Sequence, residues 1–242
     1  MDNSLVRRIK DSLNKPGLIG ALGGPVYRIY YLLKETFIPS LRLARRLDRE
    51  FDSRFDVCTK GWISPSELGI NSDNVRFANY YHAVRPTEFQ EVLNDIRIGR
   101  EEFTFIDFGS GMGRALLLAS ELPFKKIIGV EFSPRLHQIA QENIRKYKSE
   151  SQKCRDIEAV CMDVTQYSIP QEKAVFYIYN PFKEEVMAKV LNNIQKSLEE
   201  NPREVFILYY NPVCVRVFER FTFEEVRVTK RYAVFKSPVD TK

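Results

Sequence analysis

Apolar and polar residues run along this chain in two rhythms. Short β-branched and aromatic runs recur at Phe103–Ile106, Lys126–Val130, Ile157–Cys161, Ala174–Tyr179 and Val205–Tyr210. Each is short and bounded by polar or turn residues, as buried strands are. Between them apolar positions fall at helical spacing: Ala115 to Ala119 after Arg114, then Leu136, Ala140, Ile144 and Tyr147 behind Ser133 and Pro134, then residues 183–199. Strand and helix in alternation predict an α/β fold with a mostly parallel sheet and helices on both faces. The end breaks that alternation. After a short helix over Asn211–Arg220, the runs Phe221–Val228 and Tyr232–Phe235, turned at Thr229–Arg231, predict a terminal antiparallel hairpin.

The front of the chain reads differently. Residues 1–15 predict a short helix, and Pro16, Gly17, Gly20, Gly23, Gly24 and Pro25 then break it. Phe37, Leu41, Ala44, Leu47 and Phe51 share a helical spacing, with Arg42, Arg45, Arg46 and Arg49 mostly on the other side. This predicts a basic amphipathic helix whose regular part begins near Pro39. Its arginines read either as a solvated face or as a surface for an acidic partner. From Phe51 to Asn79 the text is turn-rich, with Gly61, Pro65, Gly69 and the Asn71–Asn74 cluster, and its length is that of a lid. Residues 1–75 are therefore expected to form a helical, basic extension and lid, and residues 76–242 the main domain. Thr87 and Gln90 have capping-box spacing for a helix to about Ile96.

Chemistry concentrates between Phe103 and Glu131. Three alternate glycines, Gly109, Gly111 and Gly113, join a strand end to a helix start, where backbone can approach a ligand closely and free N–H groups face it. Glu131 ends the next strand, outside which α/β sheets bind ligands and where a carboxylate accepts ribose hydroxyls. The dinucleotide fingerprint is Gly-x-Gly-x-x-Gly. This chain has Gly-x-Gly-x-Gly preceded by Asp107, a carboxylate that repels a pyrophosphate and suits a ligand ammonium.

The sequence Asp-Phe-Gly-Ser-Gly-Met-Gly-Arg followed by Gly-Val-Glu resembles motif I and the following acidic position of the class I S-adenosylmethionine-dependent methyltransferases. More narrowly it is similar to bacterial members written Gly-Ser-Gly-x-Gly-Arg and to histone lysine methyltransferases of the telomeric-silencing type. The resemblance covers about residues 75–236 and implies a Rossmann-like methyltransferase sheet with S-adenosyl-L-methionine as cofactor. It places Asp107 at the ammonium, Gly109, Ser110, Gly111 and Gly113 as backbone, Glu131 at the ribose, and Asp163 with Val164 at the adenine. Phe132 is positioned to pack on that ring, and Tyr81 or Tyr80 to face the sulfonium. Asn180, at the end of the fourth strand, matches the Asp or Asn that orients a target nitrogen in amino-methylating members. It is a candidate catalytic and cofactor-facing residue, although one proline follows where those members have two. Plainer readings stand beside these: Asp163 as a turn residue, Asn180 and Pro181 as a strand-to-helix cap, Tyr81 as packing, and His82 as structure.

Composition narrows the partners little. The 242 residues carry a net charge of +5, and residues 1–60 hold 12 Lys or Arg against 7 Asp or Glu, so the remainder is balanced. An acidic partner, if there is one, belongs to the front. Four cysteines without a Cys-x-x-Cys pair, and two histidines, offer no zinc ligand set and point to a reducing compartment. No apolar run reaches the roughly 18 residues a membrane span needs, and there is no signal-peptide core, so a cytoplasmic location is expected. The methyl acceptor stays open among protein, nucleic acid and small molecule, as do a non-catalytic cofactor-binding module and a nicotinamide-dependent oxidoreductase.

Overall fold

The computed structural model describes residues 39–63, 81–180 and 182–238. The expected helix over residues 1–15, Phe37, Tyr80 and the Asn71–Asn74 turn cluster lie outside the described residues. Contacts divide the chain into two compact units, Met1–Leu47 and Asp48–Lys242.

In chain order the elements are α1 (Pro39–Phe55), β1 (Trp62–Ile63), β2 (Tyr81–His82), α2 (Pro86–Leu93), β3 (Thr104–Phe108), α3 (Arg114–Ser120) and β4 (Lys126–Glu131). There follow α4 (Pro134–Lys146), β5 (Ile157–Cys161), β6 (Ala174–Ile178), α5 (Glu184–Glu200), β7 (Val205–Tyr210), β8 (Glu224–Val228) and β9 (Tyr232–Lys236). Seven strands form one sheet in the order β5-β4-β3-β6-β7-β9-β8. The first five of that order are parallel, whereas β9 runs antiparallel to both β7 and β8. The predicted α/β sheet with its terminal antiparallel hairpin is therefore present. Strand order reverses at β3, which has β4 on one side and β6 on the other, so a crevice opens outside their carboxyl ends.

Side-chain alternation on β3 assigns the two faces. Phe105 packs into one core with Phe89, Leu116 and Tyr177; Ile106 and Phe108 pack into the other with Phe176, Met187 and Leu191 of α5. Asp107 shares the face of Phe105 but lies at the strand's carboxyl end, where the apolar layer gives way to the crevice. One strand thus carries both core and chemistry.

Several expectations need correction. Helix α1 continues through Phe55 instead of giving way to turns at Phe51, because Phe55 extends the apolar stripe by one more turn. Its ring lies 5.0 Å from Phe51 and 4.7 Å from Tyr147, and Asp56 then takes a left-handed φ of 52° that ends the helix. Leu47, expected on the buried stripe, is 43% exposed. The presumed lid text contains β1, which pairs with β2. The capping interaction of α2 is made by Glu88, whose carboxylate accepts the Arg85 N–H at 3.2 Å; Thr87 and Gln90 do not form the box, because Pro86 already occupies the first helical position. The segment after β7 is a 3-10 helix over Val215–Arg220. Among the described residues no helix is long and apolar enough to cross a membrane, and no group of three His, Cys, Asp or Glu could hold a metal.

Candidate active site

The crevice at the switch point encloses about 950 Å³, solvent at its mouth included, a size suited to a nucleoside-bearing ligand. Its floor is the turn between β3 and α3. Gly109, Gly111 and Gly113 all take positive φ, at 82°, 54° and 85°. The tightest need is at Gly111, where a Cβ would fall 2.2 Å from the Tyr81 ring. The turn is held by its own bonds: the N–H groups of Gly109 and Ser110 donate to the Val130 carbonyl at 2.9 and 3.1 Å, and that of Gly113 to the Ser110 carbonyl at 2.8 Å. Gly113 starts α3 and does not line the crevice, whereas Gly109, Ser110 and Gly111 do.

Two carboxylates stand on this floor. Glu131 is 4% exposed; it accepts the Gly111 N–H at 2.9 Å and the Ser133 N–H at 2.8 Å. Burial outweighs these bonds and pushes its carboxyl up to about 7. Asp107 is equally buried, and among the described residues no protein group hydrogen-bonds its carboxylate. Burial first, and the Glu131 charge second, raise it well above the usual range. Two carboxyl groups so placed favour a cation between them and the solvent. Arg114, the only Arg or Lys lining the crevice among the described residues, does not serve that need: its guanidinium is 2% exposed and faces Asp48 and Asp52 of α1 at 3.2 and 3.1 Å. This helix-start cation is thus paired with carboxylates from the front of the chain.

The walls come from further segments of the chain. Phe132 packs with Met112 and Leu136 beside Glu131. Asp163 and Val164 line the crevice at the end of β5. Asp163 also makes the turn, its Oδ1 accepting the Thr165 N–H at 2.9 Å and the Thr165 hydroxyl at 2.8 Å. Tyr81 lies over Gly111 with its hydroxyl donating to the Thr59 carbonyl at 2.7 Å. His82, next to it, stacks near-parallel to Tyr179 at 6.2 Å. Asn180 does not line the crevice; Tyr179 and Phe182 on either side of it do. It has a left-handed φ of 45°, and its Oδ1 accepts the Tyr209 hydroxyl at 3.3 Å. Nor does it cap the following helix, which starts at Glu184 behind Lys183.

Tyr177 was not singled out by sequence reasoning. It faces Asp107 across the β3–β6 pairing, lines the crevice, and its buried hydroxyl has no hydrogen-bond partner. The alternation Val-Phe-Tyr-Ile-Tyr was the available signal, since it puts Tyr177 and Tyr179 on one face. Gly129 was likewise missed. A Cβ there would lie 2.5 Å from Leu116 Cδ1 and 2.8 Å from Ser110 Oγ, so this strand glycine admits the turn against β4.

A protein-family profile described as a methyltransferase domain matches residues 105–201. No curated protein matches the chain. Solved structures similar to it include a ribosomal protein L11 methylase from Lactobacillus delbrueckii subsp. bulgaricus, at 15% identity and TM-score 0.43 over 62% of this chain and 75% of that one. A TehB-like methyltransferase from Corynebacterium glutamicum shows 16% identity and TM-score 0.44 over 61% and 86%. An RNA methyltransferase from Salinibacter ruber, solved with S-adenosyl-L-homocysteine, shows 16% and 0.42 over 67% and 95%. Identity and score at these levels carry nothing about substrate.

Proposed function

We propose that this chain, whose residues 105–201 match a methyltransferase-domain profile, is a class I S-adenosylmethionine-dependent methyltransferase that moves the methyl group to a nitrogen of its acceptor. The cofactor supplies a methyl already activated on a sulfonium, so the protein's work is to align donor and acceptor and to exclude water. The crevice fits that group. Its unpartnered Asp107 carboxylate suits the ammonium, Glu131 retains acceptor capacity for ribose hydroxyls beyond its two backbone bonds, and Gly109 to Gly111 leave room for close backbone approach. The observation that carries the reading is Asp107: a buried carboxylate with no hydrogen-bond partner among the described residues, at the strand end that lines the crevice.

In this reading Phe132, Asp163 and Val164 receive the adenine. Tyr81 shields the glycine turn. Asn180 acts on the acceptor site indirectly: its left-handed turn, with the side chain held by Tyr209, sets Tyr179 and Phe182 at the crevice where the target nitrogen is placed. Residues 1–75 serve as extension and lid to a catalytic domain over 76–242, in the cytoplasm, and the basic amino-terminal helix is where an acidic partner would bind. The narrower resemblance to lysine-modifying members supports a nitrogen acceptor, on a protein side chain or elsewhere. The test is to incubate the enzyme and a cell extract with methyl-labelled cofactor and locate the label by mass spectrometry. Label on nitrogen is expected; label on oxygen, sulfur or carbon alone refutes the assignment.

A further inference from the structure

Arg114 is a costly residue to have where it is. It is a cation at the start of α3, against the helix dipole, and it is 2% exposed. All three of its nitrogens are committed to the front of the chain. Nε donates to the Thr59 hydroxyl, Nη1 to Asp48 at 3.2 Å and Nη2 to Asp52 at 3.1 Å, while the guanidinium carbon lies 4.2 Å from the centre of the Phe51 ring. Asp52 is itself buried and gathers the loop that follows α1. Its carboxylate accepts the Thr59 N–H at 3.0 Å, the Thr59 hydroxyl at 2.6 Å and the Lys60 N–H at 2.8 Å.

From Thr59 the contacts return to the crevice. The Thr59 carbonyl accepts the Tyr81 hydroxyl at 2.7 Å, and the Tyr81 ring lies flush on Gly111, leaving no space for a Cβ. The Gly111 N–H in turn donates to Glu131 at 2.9 Å. An unbroken series of contacts therefore leads from Arg114 through Thr59 and Tyr81 to the acid at the end of β4. β1, which begins two residues after Lys60, pairs with β2 and fixes Tyr81 opposite Ile63.

We infer that Arg114 is a positioning residue: by holding the loop after α1 through Thr59 and Asp52, it sets Tyr81 on the glycine turn and Glu131 toward the ribose, and so governs cofactor affinity. This rests on the proposed placement of the ribose at Glu131. Lysine cannot replace the arrangement, since a single ammonium does not reproduce a planar fork aimed at one hydroxyl and two carboxylates.

The test uses the full chain with S-adenosyl-L-homocysteine as probe. Arg114→Met, Arg114→Lys and Tyr81→Phe are titrated by calorimetry below their unfolding temperatures, beside the emission of Trp62, the protein's one tryptophan, which lies on β1. Arg114→Met is expected to weaken binding about ten-fold and to shift Trp62 emission while circular dichroism stays native, with Arg114→Lys recovering thermal stability more than affinity. Tyr81→Phe keeps the ring and loses only the bond to Thr59, and is expected to weaken binding several-fold, which keeps the inference testable should the Arg114 variants not fold. Affinity within about two-fold of wild type in folded Arg114→Met, or in Tyr81→Phe, overturns it. Failure of the wild-type protein to bind the probe overturns the cofactor reading as well, and that outcome is distinct from unchanged affinity in the variants.

Discussion

Replacing Glu131 by Gln in the cofactor-free protein tests the electrostatics of the crevice directly. The carboxyl ordinarily titrates at 4.5, and burial lifts it to about 7 in the fold. Between those two values the unfolded chain has released its proton while the folded protein still holds it, so unfolding free energy falls as pH rises and levels off above about 7. A displacement of this size, at about 1.4 kcal/mol per pH unit, amounts to about 3 kcal/mol of stability lost across the window. Asp107, raised by the same burial and by the Glu131 charge, slopes in the same direction, so the wild-type curve alone does not isolate one group. Glu131→Gln removes the Glu131 titration together with its contribution to the Asp107 shift, leaving only the part of the slope that burial of Asp107 causes. Denaturant titrations at intervals from pH 4.5 to 8 are expected to give a steep wild-type decline and a much shallower one in the variant. Parallel curves would show that Glu131 is ionised in the fold at acid pH and would remove the argument. With the ribose at Glu131 as proposed, the same proton reaches ligand binding, because ribose hydroxyls donate best to the ionised form. Each pH unit below about 7 should then weaken cofactor affinity by up to about ten-fold.

Two further substitutions probe the packing around the site. Gly129→Ala places a Cβ 2.5 Å from Leu116 Cδ1 and within 2.9 Å of Ser110 Cβ, and is expected to cost about 1–3 kcal/mol by chemical denaturation and to loosen cofactor binding by moving the turn. Stability equal to wild type would mean that the turn and α3 yield freely. Tyr177→Phe removes a buried hydroxyl that has no partner while leaving its ring against Phe89 and Phe105, so thermal stability without cofactor should hold or rise by about 1 kcal/mol. A clear fall would show that the hydroxyl is bonded in solution.

What the sequence disclosed follows from how far apart the interacting residues are along the chain. The strand runs, the glycine turn and Glu131 occupy one continuous stretch, in which spacing of 2 and of 3.6 residues and three glycines already specify strand, turn, helix and strand. The topology at the far end was legible too, because a hairpin is a local pairing. The pairing of Arg114 was not legible, since its partners Asp48 and Asp52 lie 66 and 62 residues away and no periodicity connects them. Asn180 shows the opposite case. Its motif was visible, but whether its side chain faces the crevice depended on Tyr209, which sits on the neighbouring strand. The capping of α2 was misread for a smaller reason: Thr87 and Gln90 have the right spacing, but a proline at the first helical position moves the boundary back by two residues.

The two-residue strand β2 ties these observations together. Successive residues of a strand point to opposite sides. Tyr81 covers Gly111 on the cofactor turn, whereas His82 stacks toward Tyr179 just beyond β6, whose hydroxyl donates to Glu88 of α2 at 3.3 Å. β2 therefore spans the crevice from the glycine turn to the end of β6, the two places where donor and acceptor are proposed to meet. Its position is set by β1 and by the Thr59 carbonyl, both of which belong to residues ahead of the span that the methyltransferase profile matches. The matched residues 105–201 supply the carboxylates and the turn; the front of the chain supplies the surface that closes on them. The carboxylates and the turn thus come from inside the matched span, and the ring that covers the turn comes from outside it.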